Sequence, residues 1–297
     1  MSREPIFTWE TASQYEARLA ADPGFLAERM QQAAIAGDVK AQLGLAHMLL
    51  EGHGAERDPA AAFRWFQLAA RSGHPDAINM VGRCHELGWG TVLNTRMAAQ
   101  CYRAAGEMGH AWANVNLAML MLARDGAEGE TNEILALLVR SARRGNAKAM
   151  NFIGQACEDG WRGQPRIAAA RRWYVRAAAR GCFRGAFNVA RHLMANGDLD
   201  GAVHWLRRSV ERAPPNFCAE LGAYLQRHPE KRLRSIAALA LERASSAPPQ
   251  LISEVRAPEV PASPASPKAP PSVLARGRRS MEQAFRSLAA SRKPRRT

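Results

Sequence analysis

The chain has 297 residues, 47% of them hydrophobic, and a formal net charge of +14. The apolar share excludes a wholly disordered chain, because it supplies enough surface to offset the entropy cost of folding. The first residues show no basic stretch leading into an apolar run, and no apolar run reaches the roughly 18 residues of a membrane span, so we expect a cytoplasmic protein without a signal peptide.

Glycine marks a repeat along the first two thirds of the chain. The anchors Gly37, Gly73, Gly109, Gly145 and Gly181 follow one another at intervals of 36 residues. The intervals share their contents: an alanine shortly after the anchor, a pair of small or branched apolar residues, a glycine-containing turn and a second apolar stretch. Self-similarity at a fixed period of this length is typical of repeat proteins.

The spacing within one unit predicts two antiparallel helices, A and B. In the first unit Ala41, Leu45 and Leu49 share one face of helix A. Gly52 suits the left-handed conformation that ends a helix, and Asp58 suits the capping position before helix B. One such pair cannot bury its own apolar face, so we expect the pairs to stack into a continuous core.

The unit resembles the Sel1-like repeat, a relative of the tetratricopeptide repeat with a longer loop between helices A and B. The matching residues are Leu45-Ala46, Gly52-His53-Gly54, Asp58, and the pattern from Ala62 through Trp65-Phe66 and Ala69-Ala70 to Gly73. The resemblance covers roughly residues 37–181. It implies an all-α fold, an α-solenoid of stacked antiparallel helix pairs, and a non-catalytic role in binding other proteins.

Five repeat units are predicted, at about 37–72, 73–108, 109–144, 145–180 and 181–213. Residues 1–36 are predicted to form N-terminal capping helices, and residues 214–245 a C-terminal capping helix pair. The loop of the fifth unit is four residues shorter, since Ala202 stands 21 residues after its anchor where earlier units have 25. From the helix ends we expect Gly73→Val to destabilise the protein more than Gly185→Ala.

The C-terminal part of the chain changes character. Residues 246–272 are rich in Pro, Ala and Ser and predict a disordered linker, and residues 273–297 predict a disordered basic tail with a short amphipathic helix. Three roles stay open: a solubilising end, a segment that folds on a partner, or a nucleic-acid or anionic-surface binder. The tail candidates for binding are Arg276, Arg278, Arg279, Phe285, Arg286, Leu288 and Lys293.

The sequence offers no catalytic, cofactor or metal site. It lacks the usual nucleophile, phosphate-loop and zinc-protease motifs, and its acidic residues do not cluster in pairs. The five cysteines form no Cys-x-x-Cys pair, which predicts small buried residues in a reducing compartment. We therefore predict a protein that is not an enzyme and that needs no cofactor.

Polar residues on the A helices are the candidates for partner binding. They lie on the helix face opposite the apolar stripe, which is expected to line the concave side of the solenoid, where amides suit a peptide backbone and arginines suit carboxylates. The alternative is that these positions are merely solvated, or that another face binds. The expected partner is a protein or peptide, and the expected state is a monomer. The candidates are His47, Asn79, Arg83, Glu86, Asn116, Asn151, Gln155, Glu158, Asn188 and Arg191.

Overall fold

The computed structural model describes residues 21–124 and 127–246, and it confirms the all-α fold. Thirteen α-helices and one short 3-10 helix, Ala127–Glu130, lie in these stretches, with no β-strand among them. The helices are α1 Pro23–Ile35, α2 Val39–Glu51, α3 Pro59–Arg71, α4 Pro75–Leu87, α5 Thr95–Glu107, α6 Ala111–Leu122, α7 Thr131–Arg143, α8 Ala147–Glu158, α9 Ile167–Ala179, α10 Phe183–Ala195, α11 Leu199–Val210, α12 Pro215–Gln226 and α13 Lys231–Ser246.

The chain divides into two compact units between His110 and Ala111. In the first unit, helices α1 to α5 each pack against the next. In the second unit, α6 to α11 do the same, and α13 packs against α12 and α11. Each predicted repeat thus contributes one A helix (α2, α4, α6, α8, α10) and one B helix (α3, α5, α7, α9, α11), as expected for an α-solenoid.

The helices end where the anchor glycines and the capping residues predict. All five anchors have positive φ angles, with 77° at Gly73 and 96° at Gly37 as the extremes. Gly52 ends α2 in the left-handed conformation, with φ of 77°. Before α3, the Asp58 carboxylate accepts a hydrogen bond of 2.9 Å from the Ala61 N–H. Because these signals are local, each helix boundary is encoded within a few residues of itself.

The core of each pair is built around one large residue of helix B. Phe66, Tyr102 and Tyr174 are fully buried against their A helices, whereas Trp65 and Trp173, the residues just before two of them, are only half-buried. Small residues such as Ala62, Ala98 and Ala170 surround them and let the helices approach closely.

The structure describes part of the predicted N-terminal and C-terminal regions. Helix α1 lies within the predicted N-terminal cap, and α12 and α13 lie within the predicted C-terminal pair; their role as caps stays a prediction. Residues 247–297, with most of the predicted linker and the whole basic tail, lie outside the described residues. None of the described helices is long and apolar enough to cross a membrane.

Candidate functional site

The structure separates the ten A-helix candidates by burial. His47 is exposed, and the half-buried candidates are Arg83, Glu86, Asn116, Gln155 and Glu158. The remaining four are buried: Asn79, Asn151, Asn188 and Arg191, at 2–8% exposure. The expectation that all ten face away from the core is therefore wrong for these four. Binding by any of the ten stays a prediction, as it does for the tail residues Arg276, Arg278, Arg279, Phe285, Arg286, Leu288 and Lys293, which lie outside the described residues.

In the second unit, the buried candidates hold consecutive A helices together. The Asn188 amide on α10 donates to the Asn151 side-chain oxygen on α8 at 3.0 Å. One Arg191 nitrogen donates to both carboxylate oxygens of Glu158, at 2.7 and 2.6 Å. These polar groups are buried because neighbouring A helices pack side by side, which a single-helix projection does not show.

Glu158 is the centre of this polar cluster. Its carboxylate also lies 3.2 Å from Nε2 of His192 and accepts a hydrogen bond of 2.7 Å from the Tyr174 hydroxyl. Burial alone would raise the pKa of Glu158, but the hydrogen bonds from His192, Arg191 and Tyr174 and the charge of Arg191 outweigh it and hold the pKa well below the usual range. The carboxylate therefore stays ionised in the folded protein at neutral pH.

A tyrosine–glutamate pair recurs in the second and fourth repeats. Tyr102 donates to Glu86 as Tyr174 donates to Glu158. In each repeat the tyrosine ring lies across a glycine of helix A: a Cβ on Gly154 would meet the ring of Tyr174 at 2.5 Å, and one on Gly82 the ring of Tyr102 at 2.8 Å. Burial, reinforced by the carboxylate, raises the pKa of both tyrosines well above the usual range.

The first and third repeats fill the same three positions with apolar residues. Where the second repeat has Gly82, Glu86 and Tyr102, the first has Ala46, Leu50 and Phe66, and the third has Ala118, Leu122 and Leu138. The apolar and polar trios alternate along the chain. This covariation is visible in the sequence at a period of 72 residues, but it was not predicted, because it joins residues of helix A and helix B that meet only in the folded pair.

A cavity of about 910 Å³ opens beside Glu158, between α9 and α10. Helix α9 contributes one wall, in which Ile167 and Val175 are exposed at 52% and 37%. Helix α10 contributes the other wall through Arg191 and His192, which are buried, and through the end of the helix. The lining residues are Glu158, Ile167, Ala168, Arg171, Arg172, Val175, Arg176, Arg191, His192, Ala195 and Asn196.

Three arginines of α9 give the cavity a positive charge. Arg171, Arg172 and Arg176 are exposed, and none of them forms an ion pair with a carboxylate in the described part of the chain. Arg176 lies over the Trp173 ring at 5.0 Å. These arginines were not among the residues predicted to bind, although the sequence carries a signal: the position of Arg171 is Phe63 in the first repeat and Ala99 in the second.

Most cysteines of the described residues are buried, and one caps a helix. Within residues 21–124 and 127–246, no group of three or more potential ligands could hold a metal ion. Cys84, Cys157 and Cys218 are buried, and burial raises the pKa of Cys84 to about 12. The Cys182 sulfur accepts from the Gly185 N–H at 3.4 Å and so caps α10. These contacts are structural.

Three stretches of the chain, residues 39–74, 75–110 and 147–182, match the Sel1 repeat. The third repeat, whose buried aromatic is replaced by Leu138, lies between the second and third of these stretches. The matches confirm the resemblance inferred from the glycine spacing.

Known proteins share the sequence pattern and the fold. An uncharacterised protein of Neisseria meningitidis serogroup B is 28% identical over 159 residues, which are 54% of this chain and 33% of that protein. A Sel1 repeat protein from Oxalobacter formigenes, 19% identical, superposes with a TM-score of 0.63 over 79% of this chain and 100% of its own. An immunity protein from Pseudomonas aeruginosa, 14% identical, superposes with a TM-score of 0.51 over 71% of this chain and 83% of its own.

Proposed function

We propose that this chain, a Sel1 repeat protein by its three matched repeats and its fold, is a non-catalytic scaffold that binds a protein or peptide partner. Stacked helix pairs provide an extended, pre-formed surface, so a partner segment can bind without a large ordering cost to the scaffold. The compartment we propose is the cytoplasm.

One observation carries the proposal: the open cavity of about 910 Å³ between α9 and α10. Its wall combines large apolar side chains exposed to solvent, Ile167 and Val175, with charged groups at their edges. Apolar surface with convergent polar groups in a concave site is the usual composition of a binding site.

We also propose that the accessible members of the predicted A-helix set contact the partner. These are His47, Arg83, Glu86, Asn116 and Gln155, which are exposed or half-buried. Gln155 and Glu158 lie one helical turn apart on α8, so a partner segment at Gln155 would adjoin the cavity. The buried Asn79, Asn151, Asn188 and Arg191 would act indirectly, by holding the A helices in place.

The proposal can be tested by site-specific crosslinking of the full chain in cells. A photoreactive amino acid replaces Gln155 in one variant and Val175 in another, and a third variant carries it at the exposed Arg207 of α11 as a control. We expect the same discrete protein adduct from the first two positions and none from the control. Adducts that are equally abundant at all three positions, or absent from all, would show that no partner is held here.

The basic tail supplies the competing function and needs its own control. Replacing Arg276, Arg278, Arg279 and Arg286 with glutamine in the full chain removes four positive charges outside the repeats. We expect the crosslinked adduct to persist in this variant and after nuclease treatment. Loss of the adduct in either case would assign the interaction to the tail and to nucleic acid or another anionic partner.

A further inference from the structure

In the first unit, each loop between helices A and B lies over the start of an earlier helix. The loop between α2 and α3 lies over the start of α1, and the loop between α4 and α5 lies over the start of α3. A Cβ on Gly54 would lie 2.1 Å from the carbonyl oxygen of Pro23, the first residue of α1. A Cβ on Gly90 would lie 1.9 Å from that of Pro59, the first residue of α3. Glycine is required at these two positions because the loop main chain lies directly against the helix.

The fifth repeat has lost the residues that would form this cover. The linker from α10 to α11 consists of residues 196–198, whereas the linker from α2 to α3 consists of residues 52–58. A full-length loop between α10 and α11 would cover the start of α9. Ile167 begins α9 at the repeat position that Pro59 has at the start of α3. Ile167 is 52% exposed, and it lines the cavity together with Ala168 and with Ala195 and Asn196 at the shortened linker. The cavity thus occupies the place of the missing loop.

The charge of the cavity is not a general requirement of the repeat. Its lining contains four arginines and one glutamate, Glu158, whose carboxylate is already bound by Arg191, His192 and Tyr174. Phe63 and Leu68 occupy the positions of Arg171 and Arg176 on α3, whose start is covered by the complete loop between α4 and α5. Arg172, Arg176 and Arg191 have arginine counterparts elsewhere, at Arg64, Arg140 and Arg83, so what is particular to the fourth repeat is that all four arginines occur together, beside the open loop.

Two buried nitrogen atoms at the cavity have no hydrogen-bond partner among the described residues. They are Nε of Arg191 and Nδ1 of His192, on side chains that are 8% and 7% exposed. Buried polar groups of this kind are normally satisfied, and leaving them unpaired costs free energy. An acceptor group of a ligand would remove the cost at the Arg191 Nε–H, whereas Nδ1 of His192 needs a donor, since Nε2 of the same ring faces the Glu158 carboxylate.

We infer that the cavity binds an extended acidic segment of a partner polypeptide, whose main chain takes the place of the missing loop and whose carboxylates pair with Arg171, Arg172 and Arg176. The inference rests on the proposed function and specifies the chemistry of the partner. Guanidinium groups bind carboxylates through paired hydrogen bonds, and Ile167 and Val175 offer contact to an aliphatic side chain between them. The lining holds no Phe, Tyr or Trp on which a nucleic-acid base could stack, and its one imidazole, His192, is buried beside Glu158, which favours a peptide.

The test is a selection of random twelve-residue peptides displayed on phage against the full chain. We expect enriched sequences in which two or more acidic residues flank an aliphatic one. A synthetic peptide from the selection should bind at least tenfold more weakly to the double variant Arg171→Gln/Arg176→Gln. The control double variant, Arg64→Gln/Arg71→Gln on α3, removes the same charge from exposed positions and should bind as the wild type does.

A second variant tests the loop argument without removing any arginine. Inserting Gly-Ala-Glu-Arg, a copy of residues 54–57, between Gly197 and Asp198 restores a full-length loop in the fifth repeat. We expect this insertion to abolish peptide binding, because the chain's own loop then fills the cavity. The same insertion between Gly163 and Gln164, in the exposed loop before α9, is the control for folding and should leave binding unchanged.

The outcomes separate the cavity from the scaffold function. Enriched peptides without acidic residues, binding that neither the arginine nor the insertion variant weakens, or binding of a labelled single-stranded oligonucleotide that the same variants abolish would each overturn the acidic-peptide site. If a protein still crosslinks at Gln155 in such a case, the scaffold function stands and only the cavity is misassigned.

Discussion

At the scale of single residues, the alternation of polar and apolar trios explains how one fold accommodates different buried groups. A tyrosine hydroxyl needs a buried acceptor, and its ring needs the space that a glycine leaves, so Gly154, Glu158 and Tyr174 are interdependent. Ala118, Leu122 and Leu138 satisfy the same geometry without polar groups. The trios can therefore be exchanged only as units.

Gly154→Ala is expected to destabilise the protein by about 1–3 kcal/mol, although alanine favours helices, because its Cβ would come within 2.5 Å of the Tyr174 ring. The control is Gly44→Ala on α2, where the nearest atom is Sδ of Met30 at 3.4 Å and the helix preference should raise stability by up to about 1 kcal/mol. Urea unfolding measures both. Adding Tyr174→Leu to Gly154→Ala copies two of the three positions of the third repeat and removes the clash, so the double variant should lose less than the sum of the two single losses; losses that add in full would contradict a clash between the added Cβ and the ring.

Glu158→Gln is expected to lower the free energy of unfolding at pH 7 by about 2 kcal/mol or more, because it leaves the buried Arg191 beside a neutral group. The folded-state pKa of Glu158 is lowered, so the stabilisation is complete above the unfolded pKa of about 4.3 and is lost as the pH falls towards the folded value. Urea unfolding at pH 7, 5 and 3 should show the same difference in stability between wild type and variant at pH 7 and 5 and a smaller one at pH 3.

The groups that face this carboxylate are Arg191, His192 and Tyr174. Glu86→Gln is a matched control, since Glu86 accepts from Tyr102 but forms no ion pair among the described residues. Glu86→Gln should lower the free energy of unfolding by less than Glu158→Gln does. Equal losses of stability in the two variants would contradict a stabilising ion pair between Glu158 and Arg191. So would a difference between wild type and Glu158→Gln that grows as the pH falls.

At the scale of the helices, glycine acts in two physically different ways. At the anchor Gly73 the φ angle is 77° and no atom would meet an added Cβ, so a substitution costs backbone strain alone. At Gly185, inside α10, an added Cβ would lie 2.8 Å from the Ala177 Cβ and 3.0 Å from the main chain of α9. The second glycine is needed for helix approach, which the sequence does not reveal.

Gly185→Ala is therefore expected to destabilise the protein by about 1–3 kcal/mol, at least as much as Gly73→Ala at about 1 kcal/mol. The ranking expected from helix ends set Gly185→Ala against Gly73→Val and stays a prediction; the contacts at Gly185 change only the expectation that Gly185→Ala is mild. Melting temperatures of the two alanine variants measure the order. A Gly185→Ala protein as stable as the wild type would mean that α9 and α10 can separate at no cost.

At the scale of the whole molecule, the net charge influences whether the protein associates with itself in solution. The net charge is +14, and the thirty residues from Lys268 onward contain nine basic residues and one acidic residue. Charge of one sign opposes self-association.

We expect a monomer of 32.5 kDa in light scattering at physiological salt. The mass should not change between low and high protein concentration, because like charges keep the molecules apart. A mass near twice this value that persists when salt is raised would contradict the monomer and indicate an apolar interface. The tail variant with four arginines replaced serves as the control for effects of charge alone.

The sequence by itself determined the repeat register, the helix pairs, their capping residues and hence the fold class. These features depend on local interactions: Asp58 caps the helix that follows it, and Gly52 ends the helix that precedes it. Periodicity of the apolar residues within one unit was enough to predict stacking.

Only the tertiary structure decided which polar residues are buried and where a cavity opens. Asn151 and Asn188 are 37 residues apart and meet because consecutive A helices pack side by side. The shorter loop after α10 was visible in the sequence, but its consequence was not, since the loop covers a helix of the preceding repeat. Contacts between repeats depend on how the units stack, and no single repeat contains that information.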